Sequence, residues 1–418
     1  MRILHTSDWH LGQHLFDLER EREHAHFLGF LLDSLEAEEI DALLLTGDVF
    51  DTGSPPASAQ RMYFQFLADL RRRLPALDVV VIAGNHDSPA RLDAPAALLA
   101  AMKIHVIGAL PRSSTGELQP DRLVLPLHAA DGSIGAWVAA VPFLRSAELP
   151  PCAGEADPLI AGVRAIYDAA FAAARERRAP GQALLATGHA YLAGGQLSEL
   201  SERKILGGNQ HALPADLFPE ELAYVALGHL HRSQTVGGRT ALHYAGSPLP
   251  LSFAEVAYDH QVAVVELDGE RLASVRSLPV PRSLELRRIP AGAPVPLAGL
   301  LPLLAALPAA STVPEEERPW IEVQVALDAH EPSLRRTIAA ALEGKAVRLV
   351  NLAAHRTGSG SALGDVAPLR RLDELQVEEV FRKLYARDHE EEAPQELLAA
   401  LHELVEEVEA ARGEEGGP

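Results

Sequence analysis

Seven side chains of metal-binding type stand at the ends of apolar, β-rich runs. Residues 3–7 run into Asp8, 42–47 into Asp48, 79–84 into Asn85, 183–188 into His189 and 224–228 into His229. Each run closes on a small residue, serine or glycine, immediately before the donor. His10 and His231 follow Asp8 and His229 by two positions, and alternate residues of an extended chain project to one side. Each of those two tips can therefore offer two donors. Open α/β sheets bind ligands beyond the carboxyl ends of their strands, so five such tips would gather at one edge. This pattern reads as a dinuclear metal site with Asp48 at its centre, because a carboxylate bridges naturally between two divalent ions about 3.5–4 Å apart. Asp, Asn and His donors without thiolate suit manganese, iron or zinc. Such a site activates water and clamps a phosphoryl group for in-line attack.

His86 follows the candidate ligand Asn85 and is expected to be catalytic, stabilising charge or protonating a leaving alkoxide. Asp51, three residues beyond Asp48, is expected to orient and charge that imidazole. Each piece alone says little: Asp-x-His arises by chance, and Gly-Asp is most often a turn. The fivefold recurrence of strand, small residue and donor carries the assignment. The remaining histidines read as surface or hydrogen-bonded groups, Arg71 to Arg73 as a solvated helix end, and Gly246-Ser247-Pro248 as a turn closing on the site.

The elements that must hold these residues follow from periodicity. Helices are expected over 18–38 and 58–74, with a short one near 95–102, between strands that end at Asp8, Asp48 and Asn85 and one at 104–107. This βαβαβ rhythm implies a largely parallel sheet with right-handed crossovers. Strands at 122–127 and 134–141 would start a second sheet packed on the first, and 157–177 reads as a helix. Strands at 239–244, 261–267 and 272–278 are expected to form an antiparallel run. The fold class is α/β, a β-sandwich flanked by helices over residues 1–281. A second, α+β domain is expected over 282–371. In it 321–325 alternates like a half-exposed strand, a helix covers 333–342 and a strand 346–352, and 358–361 is a flexible loop. Residues 372–412 carry two amphipathic helices, with Val377, Val380, Phe381, Leu384 and Tyr385 on one stripe and Leu397, Leu401, Leu404, Val405 and Val408 on another. They fit helix-in-groove docking on a partner. Residues 413–418 read as a disordered end.

The chain has 418 residues, too many for one ordinary core. Cys152 is its only cysteine, which leaves no internal disulfide and no thiolate metal site and suits a reducing compartment. No signal-peptide pattern opens the sequence. Prolines 294, 296, 302 and 308 interrupt the most apolar late stretch and argue against a membrane helix. A cytoplasmic location is expected. The net charge of −21 is unusual for a protein that binds nucleic acid. From residue 373 onward fifteen Asp and Glu face four Lys and Arg, which accounts for −11 of it. Either bound metal ions supply the local positive field, or a partner supplies much of the grip on DNA.

These residues resemble the calcineurin-like metallophosphoesterase superfamily, whose pattern is Asp-x-His, Gly-Asp-x-x-Asp, Gly-Asn-His-Asp/Glu, a later His and Gly-His-x-His. Every element is present in order. Within it the chain is similar to the SbcD family, the nuclease subunits of bacterial SbcC–SbcD complexes. The closer likeness rests on residues 5–12, 47–56, 84–88, 226–232 and 246–253, and continues weakly through 319–356, similar to the family's capping domain. It reaches 374–386, which looks like a partner-binding tail. The resemblance implies a manganese-dependent DNA phosphodiesterase, exonuclease on duplex ends and endonuclease on single strands and hairpins. It implies an SbcC-type ATPase partner, a homodimer within a heterotetramer, and work in DNA repair, recombination and replication. It implies that Asp8, His10, Asp48 and His231 hold one ion, that Asp48, Asn85, His189 and His229 hold the other, and that His86 is catalytic. Some relatives carry His where Asp51 stands. The competing readings are another phosphatase or small-molecule phosphodiesterase of the superfamily, and a non-catalytic DNA-end scaffold. Thr52-Gly53 after Asp51 departs from the Arg-Gly usual in protein phosphatases.

Overall fold

The computed structural model describes residues 1–152, 157–196, 212–310, 314–328 and 331–356, with a few positions between 381 and 401. Backbone contacts divide the chain into two units, Met1–Leu15 with Glu19–Arg282, and Phe16–Leu18 with Ser283–Pro418. In chain order the elements begin with β1 (Arg2–Thr6), β2 (His14–Leu15), β3 (Leu18–Glu19), α1 (Glu21–Ala37), β4 (Ala42–Thr46), α2 (Ala57–Arg73) and β5 (Asp78–Ile82). Then come α3 (Pro89–Asp93), α4 (Ala96–Ala100), β6 (Ile104–Ile107), β7 (Val124–His128), β8 (Ile134–Ala140), α5 (Pro158–Arg177) and β9 (Ala183–His189). The first unit ends with β10 (Tyr224–Gly228), β11 (Gln234–Val236), β12 (Arg239–Tyr244), β13 (Gln261–Asp268) and β14 (Arg271–Pro279).

Two six-stranded sheets result, ordered β14-β13-β1-β4-β5-β6 and β11-β12-β10-β9-β8-β7. Strand alternation explains the layering. On one face of the first sheet Leu4, Leu43, Leu45, Val79 and Val81 pack with Phe27, Leu31, Phe66 and Leu70 of α1 and α2. On the other face Ile3, Ala42, Leu44, Val80 and Ile82 pack with Ala136, Val138, Leu185 and Ala226 of the second sheet. The outer face of the second sheet, with Leu184, Ala186, Val225 and Leu227, is covered by Ile166, Ala170 and Phe171 of α5. A one-residue slip of any central strand would exchange these two cores, so register and ligand placement are fixed together. The sandwich flanked by helices is present as expected.

Some local expectations change. Helix α1 starts at Glu21, because Leu18 and Glu19 are extended. The short helix expected near 95–102 is α4, and a further short helix, α3, precedes it across Ala94 and Pro95. The strands after His231 are not one antiparallel run. β12 runs parallel to β10 in the second sheet, while β13 joins the first sheet antiparallel to β1.

In the second unit β15 (Leu286–Ile289), β16 (Val295–Pro296), α6 (Leu297–Ala305), β17 (Trp320–Leu327), α7 (Leu334–Leu342) and β18 (Arg348–Arg356) form an α/β layer. β15, β16 and β18 all run parallel to β17. Leu300, Leu304, Ile321, Val323, Val325 and Ile338 make its core. β17 is not half-exposed: Glu322 and Gln324 are buried. Arg288 Nε and Asn351 Nδ2 each donate to the Glu322 carboxylate at 2.7 Å, so neighbouring strands satisfy that buried charge. Most of 372–412, the 358–361 loop and the 413–418 end lie outside the described residues. Phe381, Leu384 and Tyr385 are helical where described. Among the described residues no helix is long and apolar enough to cross a membrane.

Candidate metal centre

The donors come from the carboxyl ends of both sheets: β1, β4 and β5 of the first lead to Asp8, Asp48 and Asn85, and β9 and β10 of the second lead to His189 and His229. The loops are tied together by main chain. Asp8 N donates to Gly47 O and His10 N to Asp48 O, both at 3.0 Å, and Leu11 N donates to Val49 O at 2.9 Å. Four donor residues take left-handed backbone angles, with φ of 54° at Asp8, 47° at His10, 49° at Asp48 and 100° at His229. Such strain persists only where surrounding structure over-determines it, and it concentrates at functional sites. Two glycines make room. A Cβ on Gly47, itself at φ +94°, would lie 2.2 Å from His189 Nδ1, and one on Gly84 would lie 2.2 Å from Asp48 Oδ1.

Three clusters of ligand-type atoms form, each within 4.8 Å: Asp8, His10 and His231; Asp8, Asp48 and His189; and His10, Asp48 and His86. Asp48 Oδ2 sits between two imidazoles, 3.6 Å from His10 Nε2 and 3.3 Å from His189 Nε2. Asn85 joins through Oδ1, 3.0 Å from His189 Nε2 and 3.2 Å from His229 Nδ1. All seven sequence-predicted donors are thus brought to one place, with Asp8, His10, Asp48, His189, His229 and His231 buried.

Behind them stand partners that orient the imidazoles. His10 Nδ1 donates to Asp51 Oδ1 at 3.1 Å, His231 Nδ1 to Glu255 Oε1 at 2.9 Å and His189 Nδ1 to Thr46 O at 2.8 Å. This arrangement turns each Nε2 inward, as orienting groups do around metal-binding histidines. The Nε2 atoms of His10 and His229 are buried and have no hydrogen-bond partner among the described residues. Burying such a group without a partner costs free energy. Orphaned imidazole nitrogens beside ionised carboxylates fit divalent cations.

The electrostatics agree. Burial would raise the Asp48 carboxyl, yet the His189, His86 and His10 imidazoles hold it well below the usual carboxylate range. Burial opposes the charge on His189, but Asp48 and Asp8 still lift it to about 9. Burial likewise opposes His10, and Asp51 and Asp48 raise it. His229 is pushed well down by burial and by the neighbouring His189. The carboxylates favour positive charge at this place, most clearly at His189. Cations binding there would displace that imidazole's proton.

His86 and Asp51 are arranged differently from the expectation. The atom of Asp51 that meets His86 is its main-chain oxygen, which accepts from His86 Nδ1 at 2.7 Å. The Asp51 carboxylate hydrogen-bonds to His10 and acts on His86 through its charge. His86 N also donates to Asp48 Oδ1 at 2.8 Å. Sequence reasoning missed two carboxylates. Asp87 accepts from Val49 N, Phe50 N and Gly84 N at 3.1, 3.0 and 2.9 Å, clasping the two donor loops together. Its place directly after Asn85-His86 was a signal. Glu255, which accepts from His231 Nδ1 and from Leu251 N at 2.8 Å, had none.

A family model described as calcineurin-like phosphoesterase matches residues 1–233. A second, described as type 5 capsule protein repressor C-terminal domain, matches residues 282–389. The chain is 42% identical over 360 residues to the SbcD component of the SbcCD nuclease of Rhodobacter capsulatus, covering 84% of this chain and 87% of that one. The chain belongs to the SbcD family. It is 33% identical over 422 residues to the SbcD of Escherichia coli K12, covering 98% of this chain and all of that one. With the SbcD of Bacillus subtilis it shares 38% identity over 274 residues, 64% of this chain and 66% of that one. As a family member it is a hydrolase, a phosphodiesterase dependent on divalent metal ions, and a nuclease subunit. The family-defining match at residues 1–233 spans all seven donors.

Proposed function

We propose that this chain is the manganese-dependent DNA-cleaving subunit of an SbcC–SbcD-type complex in the cytoplasm, acting as an exonuclease on duplex ends and an endonuclease on single strands and hairpins. The observation that carries this reading is the gathering of seven oxygen and imidazole donors from two sheets in one place, with Asp48 among them. The mixed donor set without sulfur suits manganese, with iron and zinc as the competing ions. Asp8, His10, Asp48 and His231 would hold one ion, and Asp48, Asn85, His189 and His229 the other. Bound there, two divalent ions polarise a phosphoryl group and supply the attacking nucleophile.

The chain's own residues do the rest. Asp51, Glu255 and the Thr46 carbonyl hold three imidazoles in one tautomer. His86 donates through Nδ1 to the Asp51 carbonyl, which orients its ring, and it is the residue proposed to give a proton to the leaving oxygen. Asp87 keeps the Asp48 and Asn85 loops in register. Residues 1–281 form the nuclease domain, 282–371 the capping domain, and 372–412 the tail that docks an SbcC-type ATPase. Two nuclease chains meet within a heterotetramer. The lone cysteine suits a reducing compartment. The net charge of −21 assigns much of the DNA grip to the ions and the ATPase partner.

The deciding experiment compares cleavage of a single-stranded oligonucleotide, a duplex end, a phosphopeptide and a nitrophenyl phosphodiester in manganese, magnesium, iron or zinc, with and without the ATPase partner. DNA cleavage greatest in manganese is expected, with duplex-end activity raised by the partner and its ATP. Preference for the phosphopeptide would overturn the reading. Truncation before Asp373 should abolish association with the ATPase while single-strand cleavage persists.

A further inference from the structure

The geometry points to Arg145 as a residue that binds a phosphate of the nucleic-acid strand lying in the metal centre, an inference that rests on the nuclease reading above. The segment after β8 borders the centre. Phe143 N donates to Ala83 O at 2.9 Å, beside the Asn85 loop, and the Phe143 ring meets the His189 ring edge-on, with centroids 6.3 Å apart. Arg145 lies over the Phe143 ring, its guanidinium carbon 5.5 Å from the centroid. Its Nη2 donates to the main-chain oxygen of Asp87 at 3.1 Å, two residues after the candidate ligand Asn85.

The second nitrogen, Nη1, is buried and has no hydrogen-bond partner among the described residues. Among those residues no carboxylate pairs with this guanidinium. The nearby Glu148 accepts from the main-chain N of Arg145 instead, at 3.0 Å. Elsewhere in the unit Arg20, Arg73 and Arg177 reach carboxylates, whereas Arg71, Arg112 and Arg239 spread both terminal nitrogens or several bonds over main-chain oxygens. A guanidinium cannot shed its charge, and leaving a charged donor unmet in a buried place is unfavourable. One anchored arm, an aromatic ring beneath and one N–H left without a partner among the described residues make a preorganised donor for an anionic oxygen. In a chain of net charge −21, a cation kept free of carboxylates at the edge of a phosphodiesterase centre has phosphate as its fitting partner.

The test is equilibrium binding of a fluorescent single-stranded oligonucleotide at several salt concentrations, with manganese content measured in parallel. It compares wild type, Arg145→Gln and Arg145→Lys. Arg145→Gln is expected to keep its manganese, to bind about ten- to hundred-fold more weakly, and to lose about 0.7 from the slope of log affinity against log salt, the share of one single-strand phosphate contact. Arg145→Lys should restore the slope, since the charge returns, and part of the affinity, since the fork does not. In cleavage, KM should rise more than kcat falls. An unchanged salt slope in Arg145→Gln would overturn the proposal, as would loss of manganese rescued by lysine, which would make Arg145 a tether of the Asn85 loop only. Wild type that binds DNA with this slope but never cleaves it would sink the nuclease reading and leave the Arg145 contact standing.

Discussion

The carboxylate of Asp51 accepts from His10 Nδ1 at 3.1 Å. That bond fixes the imidazole tautomer and leaves Nε2 facing Asp48 Oδ2, 3.6 Å away. Asp51 therefore orients a metal donor through its side chain, and meets His86 by a main-chain hydrogen bond and by the charge of its carboxylate. Removing the carboxylate should weaken ion binding first. Asp51→Ala is expected to lower affinity for one ion by about 10–100-fold and to leave the other nearly unchanged. Manganese titration by calorimetry checks this. Two wild-type affinities would refute it.

Asp48 lies in two of the three donor clusters and beside both His10 and His189. Asp48→Ala should abolish binding of both ions, whereas His10→Ala should affect mainly one. Metal content after gel filtration is the readout. Two ions retained by Asp48→Ala would rule out the bridge.

His86 is both the proposed proton donor and, with His10 and Asp48, part of a possible ligand cluster. The two roles separate on substitution. If His86 moves a proton, His86→Ala keeps its manganese and DNA affinity and cleaves about 10²–10⁴ more slowly, roughly 3–5 kcal/mol of barrier. Loss of an ion would instead place His86 in the ligand set.

Asp87 clasps three backbone amides and is buried. Burial and the charge of Asp48 push its carboxyl up to about 6. Asp87→Ala leaves those amides unmet, at a cost of about 1–3 kcal/mol each. Urea unfolding should show a loss on the order of 3 kcal/mol or more, together with weakened metal binding. Asp87→Asn keeps an accepting oxygen and should lose less. Wild-type stability in the alanine variant would contradict the clasp.

His243, on β12 and outside the donor set, is pushed down by burial from 6.5 to about 4. The folded protein then holds this imidazole neutral where the unfolded chain protonates it. Stability from this group is fully present above pH 6.5 and is lost as pH falls towards 4. Between pH 7 and 5 that amounts to about 2 kcal/mol for one such group. His243→Gln should flatten this part of the stability curve in urea melts at the two pH values. An unaltered difference would show that His243 is not the group responsible.

Local chemistry wrote the donor set and the main strands into the sequence. An apolar run of strand length, a glycine that alone tolerates the close approach at Gly47 or Gly84, and a donor directly after it are nearest-neighbour properties. Alternation along β1, β4 and β5 likewise dictates two buried faces and hence two cores. What alternation does not carry is which strand lies beside which. Only packing sent β13 to the first sheet and β12 to the second, and only packing set the donors on two facing sheets. The orienting carboxylates divide along the same line. Asp87 follows its donor in the chain, but Glu255 reaches His231 from 24 positions away, and Asp51 meets His10 across 41. Those pairings depend on where whole loops come to rest. Likewise Glu322 reads as solvent-facing until Arg288 and Asn351 close over it from adjoining strands. The sequence by itself determined which atoms can bind an ion. The tertiary structure decided which imidazole nitrogen faces it, because a tautomer is fixed by a hydrogen bond from a residue the chain brings back only on folding.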